Sequence, residues 1–141
     1  MSFNQFRARV EGDLAAKFGQ DYPDIPVNFP NTPYRDGTTG RVASLAYVDE
    51  DSFTASIGGR KVKRFPGIIQ IDIIVTVDTG AGEAVEIAEK VASIFDSEEI
   101  SIAPDHDVTF KVPQIKQLGV QGESFRVAAR IPYLRDTYTN A

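Results

Sequence analysis

The chain has 141 residues, of which 42% are hydrophobic and 25% charged, with a formal net charge of −5 and a pI near 4.8. That size and balance fit one domain, residues 1–141, with its own core. With no cysteine, disulfides, thiolate metal sites and a cysteine nucleophile are excluded, and the acidic balance disfavours a surface that wraps duplex DNA. Residues 1–14 lack the basic and apolar regions of a signal peptide. No stretch has the apolar length of a membrane helix; the richest, residues 68–77, is interrupted by Gln70 and Asp72.

Phe3, Phe6, Val10, Leu14 and Phe18 recur at spacings of three and four. They predict an amphipathic helix over residues 2–18, with Ser2 as N-cap and Gly19 as C-cap. Pro23, Pro26, Pro30 and Pro33 then forbid a long central strand, leaving room for a short edge strand over residues 27–29. RDGTTG, residues 35–40, has loop chemistry.

Residues 41–48 and 52–57 read as two strands forming a hairpin around Asp49, Glu50 and Asp51. Gly58 and Gly59 break the pattern and open a basic loop, RKVKR, followed by Phe65, Pro66 and Gly67. Over residues 67–78 alternation is clean: Ile69, Ile71, Ile73, Val75 and Val77 on one face, Gln70, Asp72, Thr76 and Asp78 on the other. A second helix is predicted over residues 82–95, with Val85, Ala88, Val91, Ala92 and Phe95 facing one way and Glu83, Glu86, Glu89 and Lys90 another. Val108, Phe110 and Val112 alternate in a further strand. After a turn around residues 119–122, Phe125, Val127, Ala129, Ile131 and Tyr133 form the last, with Pro132 placing its end at an edge or exit. Residues 136–141 read as a loose tail. The order predicts an α+β domain: a mostly antiparallel sheet with two amphipathic helices on one face.

Catalytic chemistry is sparse. His106 is the lone histidine; its neighbours Asp105 and Asp107 point in other directions on an extended or turn backbone, so the trio reads as a solvated turn. No G-x-S-x-G, H-E-x-x-H or Walker pattern is present. Gly80 and Gly82 begin a G-x-G, but Val85 occupies the third glycine position, and Glu83 and Glu86 would repel a pyrophosphate. Asp49, Glu50 and Asp51 lack the ligand spacing of a calcium loop. The most marked local feature is the cluster Arg60, Lys61, Lys63 and Arg64. It reads either as a contact for phosphate or an acidic protein surface, or as a solvated hairpin end or protected sheet edge.

The succession of segments resembles the phage tail terminator-like family, small proteins of long-tailed phages. The stretches that carry it are IPVNFPNTPY, the strand pair ending ASIGG, RFPGIIQIDIIVTVDTGAGEAVEIAEKVASIF, and FRVAARIPYLRD; the resemblance as a whole covers residues 1–136. The resemblance implies a virion structural protein with no catalytic residues, metal or cofactor. It implies a homo-oligomeric ring, usually hexameric, at the head-proximal end of the tail, assembled in the host cytoplasm without a membrane. Such a ring stops addition of the major tail tube protein and joins the tail to a head-completion or neck protein, with DNA passing through its lumen. From turn composition and charge, two loops are candidate contacts with neighbours, tube or DNA: Tyr34, Arg35, Asp36 and Arg41 in one, and Arg60, Lys61, Lys63 and Arg64 in the other. The alternatives are another neck, head-tail connector or tail-tube ring protein, and, in a different class, a small nucleic-acid-binding module using residues 60–64.

Overall fold

A computed structural model of the chain describes residues 2–33, 40–57, 60–77, 81–96 and 108–139. It is an α+β fold with the element order α1 (Phe3–Asp21), β1 (Val27–Asn28), β2 (Arg41–Asp49), β3 (Phe53–Ile57), β4 (Arg60–Thr76), α2 (Ala81–Asp96), β5 (Val108–Phe110), β6 (Gln114–Gln121) and β7 (Ser124–Thr139). The strands make one sheet in the order β1-β2-β4-β7-β5, with β3 also on β4 and β6 also on β7. Every pairing is antiparallel except β1 with β2.

α1 starts where the sequence says it should. Ser2 Oγ accepts from the Gln5 amide at 3.2 Å, and Gln5 Oε1 accepts from the Ser2 amide at 3.1 Å, a reciprocal capping box. It does not stop at Gly19. The helix continues to Asp21, and Tyr22 caps it through its N–H to the Phe18 carbonyl. The Phe18 and Tyr22 rings, 5.2 Å apart and one helical turn distant, hold that extra turn closed. In α2 the buried stripe is Ala84, Ile87, Ala88, Val91, Ile94 and Phe95, with Val85 only partly buried. Ala88, Val91, Ala92 and Phe95 of the expected face are buried, and the stripe widens on one side to take in Ala84, Ile87 and Ile94 while Val85 sits at its margin.

The helices cover one face of the sheet. Ile69, Ile71 and Ile73 of β4 and Val127, Ala129, Ile131 and Tyr133 of β7 point into them and are essentially inaccessible, as are Phe6, Val10, Leu14 and Phe18 of α1. Phe6 packs 4.5 Å from the Tyr133 ring, and Phe110 lies 5.5 Å from Phe95, so aromatic rings close one end of the core.

The strand plan departs from the sequence reading at the prolines. β2 and β3 do not form a hairpin together. Both lie along the same edge of β4, β2 against residues 67–75 and β3 against residues 60–64, interrupted only at residues 50–52. The basic stretch is therefore the beginning of the 17-residue β4, not a loop. Likewise β5 and β6 lie end to end along one edge of the 16-residue β7, which runs to Thr139 and pairs with β4 along its whole length. Residues 136–139 are strand, not tail, and Pro132 lies inside it. β5 ends at Phe110, leaving Val112 79% exposed, and β6 is a strand the sequence reading did not anticipate.

Both prolines fit for one reason. In an extended strand a residue's N–H and C=O point to the same side. The Pro66 carbonyl accepts from the Glu50 amide at 3.2 Å, so its absent N–H faces the β2–β3 break. The Pro132 carbonyl accepts from the Lys111 amide at 2.8 Å, so its absent N–H faces the β5–β6 break. No ladder bond between β4 and β7 is lost, and the rule that keeps proline out of central strands is not violated.

Candidate assembly surfaces

Alternation along β4 divides the basic cluster. Lys61 and Lys63 are exposed on the helix-bearing face. Arg64 turns to the other face, half-buried and forked onto Asp136 of β7, with Nε to Oδ1 at 2.9 Å and Nη2 to Oδ2 at 3.1 Å. Arg60 opens β4 opposite Ile57. Lys61 and Lys63 thus do not form one patch with Arg64, a division invisible until the segment is known to be a strand.

Arg41 is not a free contact either. From the start of β2 it holds Asp24 through Nη2 and Glu83 of α2 through Nη1 at 2.7 Å, which fastens the β1 approach and the second helix to the sheet. Tyr34, Arg35 and Asp36 lie outside the described residues, as do His106 and its two aspartates. Among the described residues no group of three His, Asp or Glu is placed to hold a metal ion, and no helix is long and apolar enough to cross a membrane.

At the β2–β3 break the sheet leaves a cavity of about 280 Å³, lined by Phe3, Asp49, Glu50, Phe65, Tyr133 and Arg135, among others. The Arg135 guanidinium lies 4.3 Å from the Phe65 ring centroid and 5.7 Å from that of Phe3. It is 8% exposed. Burial pulls its pKa below the ordinary arginine value, while Tyr133 and Asp49 pull the other way. The same burial raises the Tyr133 phenol, with Asp49 adding to the effect. No sequence pattern marked Arg135, because its significance comes from two rings distant in the chain.

The face of the sheet turned away from the helices carries Arg126 and Arg130 of β7 and Lys116 of β6. Against these stands Asp72, which accepts from the Gln70 amide group at 2.9 Å. Val48 and Phe53, 39% and 52% exposed, lie on the same face, Val48 beside half-buried Ile68 and Phe53 beside Arg64.

Comparison with known proteins gives this fold its class. Residues 5–133 match the family model for phage tail terminator proteins. The chain belongs to the phage tail terminator family, and so is a structural protein of a phage tail and a component of the virion. One solved structure aligns over 99% of this chain and 99% of its own, with a TM-score of 0.68 and 18% identity. A chain from the virion of a native gene transfer agent particle aligns over 93% of this chain and 94% of its own, with a TM-score of 0.50 and 13% identity. These likenesses establish a shared fold. No curated protein matches the sequence.

Proposed function

We propose that copies of this chain close into a ring, a hexamer, that caps the head-proximal end of the tail tube. The ring stops addition of the tube subunit and presents the surface to which a head-completion or neck protein joins, with DNA passing through its lumen. The observation that carries this reading is the family match over residues 5–133. The two-layer fold supports it, since a ring needs two different complementary patches per subunit, and a helical side and a bare sheet side are such a pair. Contact with tube, neighbours or DNA is assigned in this reading to Tyr34, Arg35 and Asp36 and to the exposed Lys61 and Lys63.

Polymerising tube subunit with increasing amounts of this protein tests the capping role. Tubes should shorten and carry a cap at one end as the ratio rises. Unchanged tube lengths with no bound cap would refute it, and long tubes from this protein alone would favour a tube subunit.

A further inference from the structure

We propose that the helix-free face of the sheet is one half of a head-to-tail interface between copies of this chain, and that the outer side of α2 on the next copy is the other half. The inference rests on the ring reading above and assigns the surfaces that would build it.

Charge points to this pairing. Arg126, Arg130 and Lys116 stand together on the bare face, and among the described residues none of them makes an ion pair. Among the described side chains there, the other charges are Asp72 and the self-neutralising Arg64–Asp136 pair. A chain with net charge −5 thus presents an excess of cations on one side. On α2, Glu83 is engaged by Arg41 at 2.7 Å and Lys90 lies 3.7 Å from Asp21. Among the described side chains of α2 that leaves Glu86 and Glu89, both exposed, as the carboxylates offered outward. Two bare faces would repel each other, which disfavours a two-fold dimer through this surface. A bare face meeting an α2 face is attractive, and repeating that contact generates a ring or a filament.

Shape agrees with charge. Beside Glu89 an open groove of about 230 Å³ is lined by Ala92, Ser93, Val112, Pro113 and Ile115. On the opposite side of the domain Val48 and Phe53 protrude from the same face as the cations, Val48 in register with Ile68 and Phe53 with Arg64. An apolar centre with a charged margin is the ordinary anatomy of a protein interface. The two halves lie on opposite layers of the same domain, so a copy cannot satisfy itself.

The test uses two full-length variants, Arg126→Glu with Arg130→Glu, and Glu86→Lys with Glu89→Lys. Assembly is read by mass in solution and, in parallel, by capping of tube ends, with thermal melting as a check on folding. Each variant alone should fail to assemble or need roughly tenfold more protein or higher. Mixed one to one they should assemble again, because each reversed face then meets an opposite partner in an alternating ring. Wild type and both variants assembling alike would overturn the face assignment and leave the ring reading standing. Wild type that neither assembles in solution nor caps tube ends would overturn both. If the arginine variant assembles normally but loses salt-dependent binding to a short DNA duplex, nucleic acid occupies that face and the proposal is wrong.

Discussion

Tyr133 of β7 lies across Gly67 of β4, so closely that a Cβ on Gly67 would stand 2.5 Å from the tyrosine hydroxyl oxygen and 2.6 Å from its ring. The two residues are register partners, midway between Pro66 and Pro132. Tyr133 is buried and packed by Phe6, so it has little room to yield. Gly67→Ala should therefore cost about 1–3 kcal/mol, the usual cost of overpacking, measured as a shift in denaturant midpoint with unchanged slope. A wild-type midpoint would mean the ring moves aside freely.

The prolines make a directional prediction. Pro132→Ala restores an N–H that faces the break between β5 and β6, so stability should move by less than about 1 kcal/mol. Ile131→Pro removes an N–H that faces β4, and buries a ring where an isoleucine packed at 0% exposure. It should cost more than about 3 kcal/mol or prevent folding. Equal effects at the two sites would contradict the strand geometry described above.

The chain's last strand turns can be tested by truncation. Ending the chain after Arg135 removes Asp136 from Arg64 and takes away the partners of residues 61–64 of β4. Limited proteolysis should then open residues 53–64 first. The single change Asp136→Asn should cost about 1–3 kcal/mol, because it leaves a half-buried guanidinium short of its charged partner. A protease pattern identical to that of the full chain would restore the view of these residues as a tail.

Glu11 gives a pH dependence with a definite sign. Burial raises its carboxyl pKa, and Arg7, at 2.5 Å, opposes the shift without cancelling it. A carboxyl raised in the folded state favours the protonated form there. Its contribution is fully present below the unfolded pKa and is lost as pH rises through the folded value. Glu11→Gln should flatten that part of the stability profile in the weakly acidic range, as followed by melting temperature against pH. A profile that falls with acidification by the same amount in both proteins would contradict the shift.

The sequence disclosed the fold unevenly, for physical reasons. Ser2 with Gln5, and the isoleucines at 69, 71 and 73, are local signals, and the structure repeats them directly. Pro66 and Pro132 were misleading because a sequence shows that an N–H is missing but not which way it would have pointed. QIKQLGVQ was overlooked because β6 is an edge strand on which Ile115 and Leu118 are the partly buried large apolar side chains. It is further disguised by the irregularity between Gln117 and Gly119, where Gly119 takes a φ of 86°. The collinear arrangement of β2 and β3 depends on long-range register with β4, which no local pattern encodes. Of the candidate contacts, the basic cluster was plain in the sequence, but its division between two faces was not. Arg126 and Arg130 carry no local signal, being cations four apart in a chain of scattered charges, and only the bare sheet face brings them together with Lys116.

The central claim is assembly into a ring, and its most direct measurement is mass and shape on one sample: light scattering over a concentration series with negative-stain images of each point. Six copies of the 15.5 kDa chain predict a closed particle of about 93 kDa with a central opening. A tight two-fold dimer with no larger species, both free and at tube ends, would contradict the account.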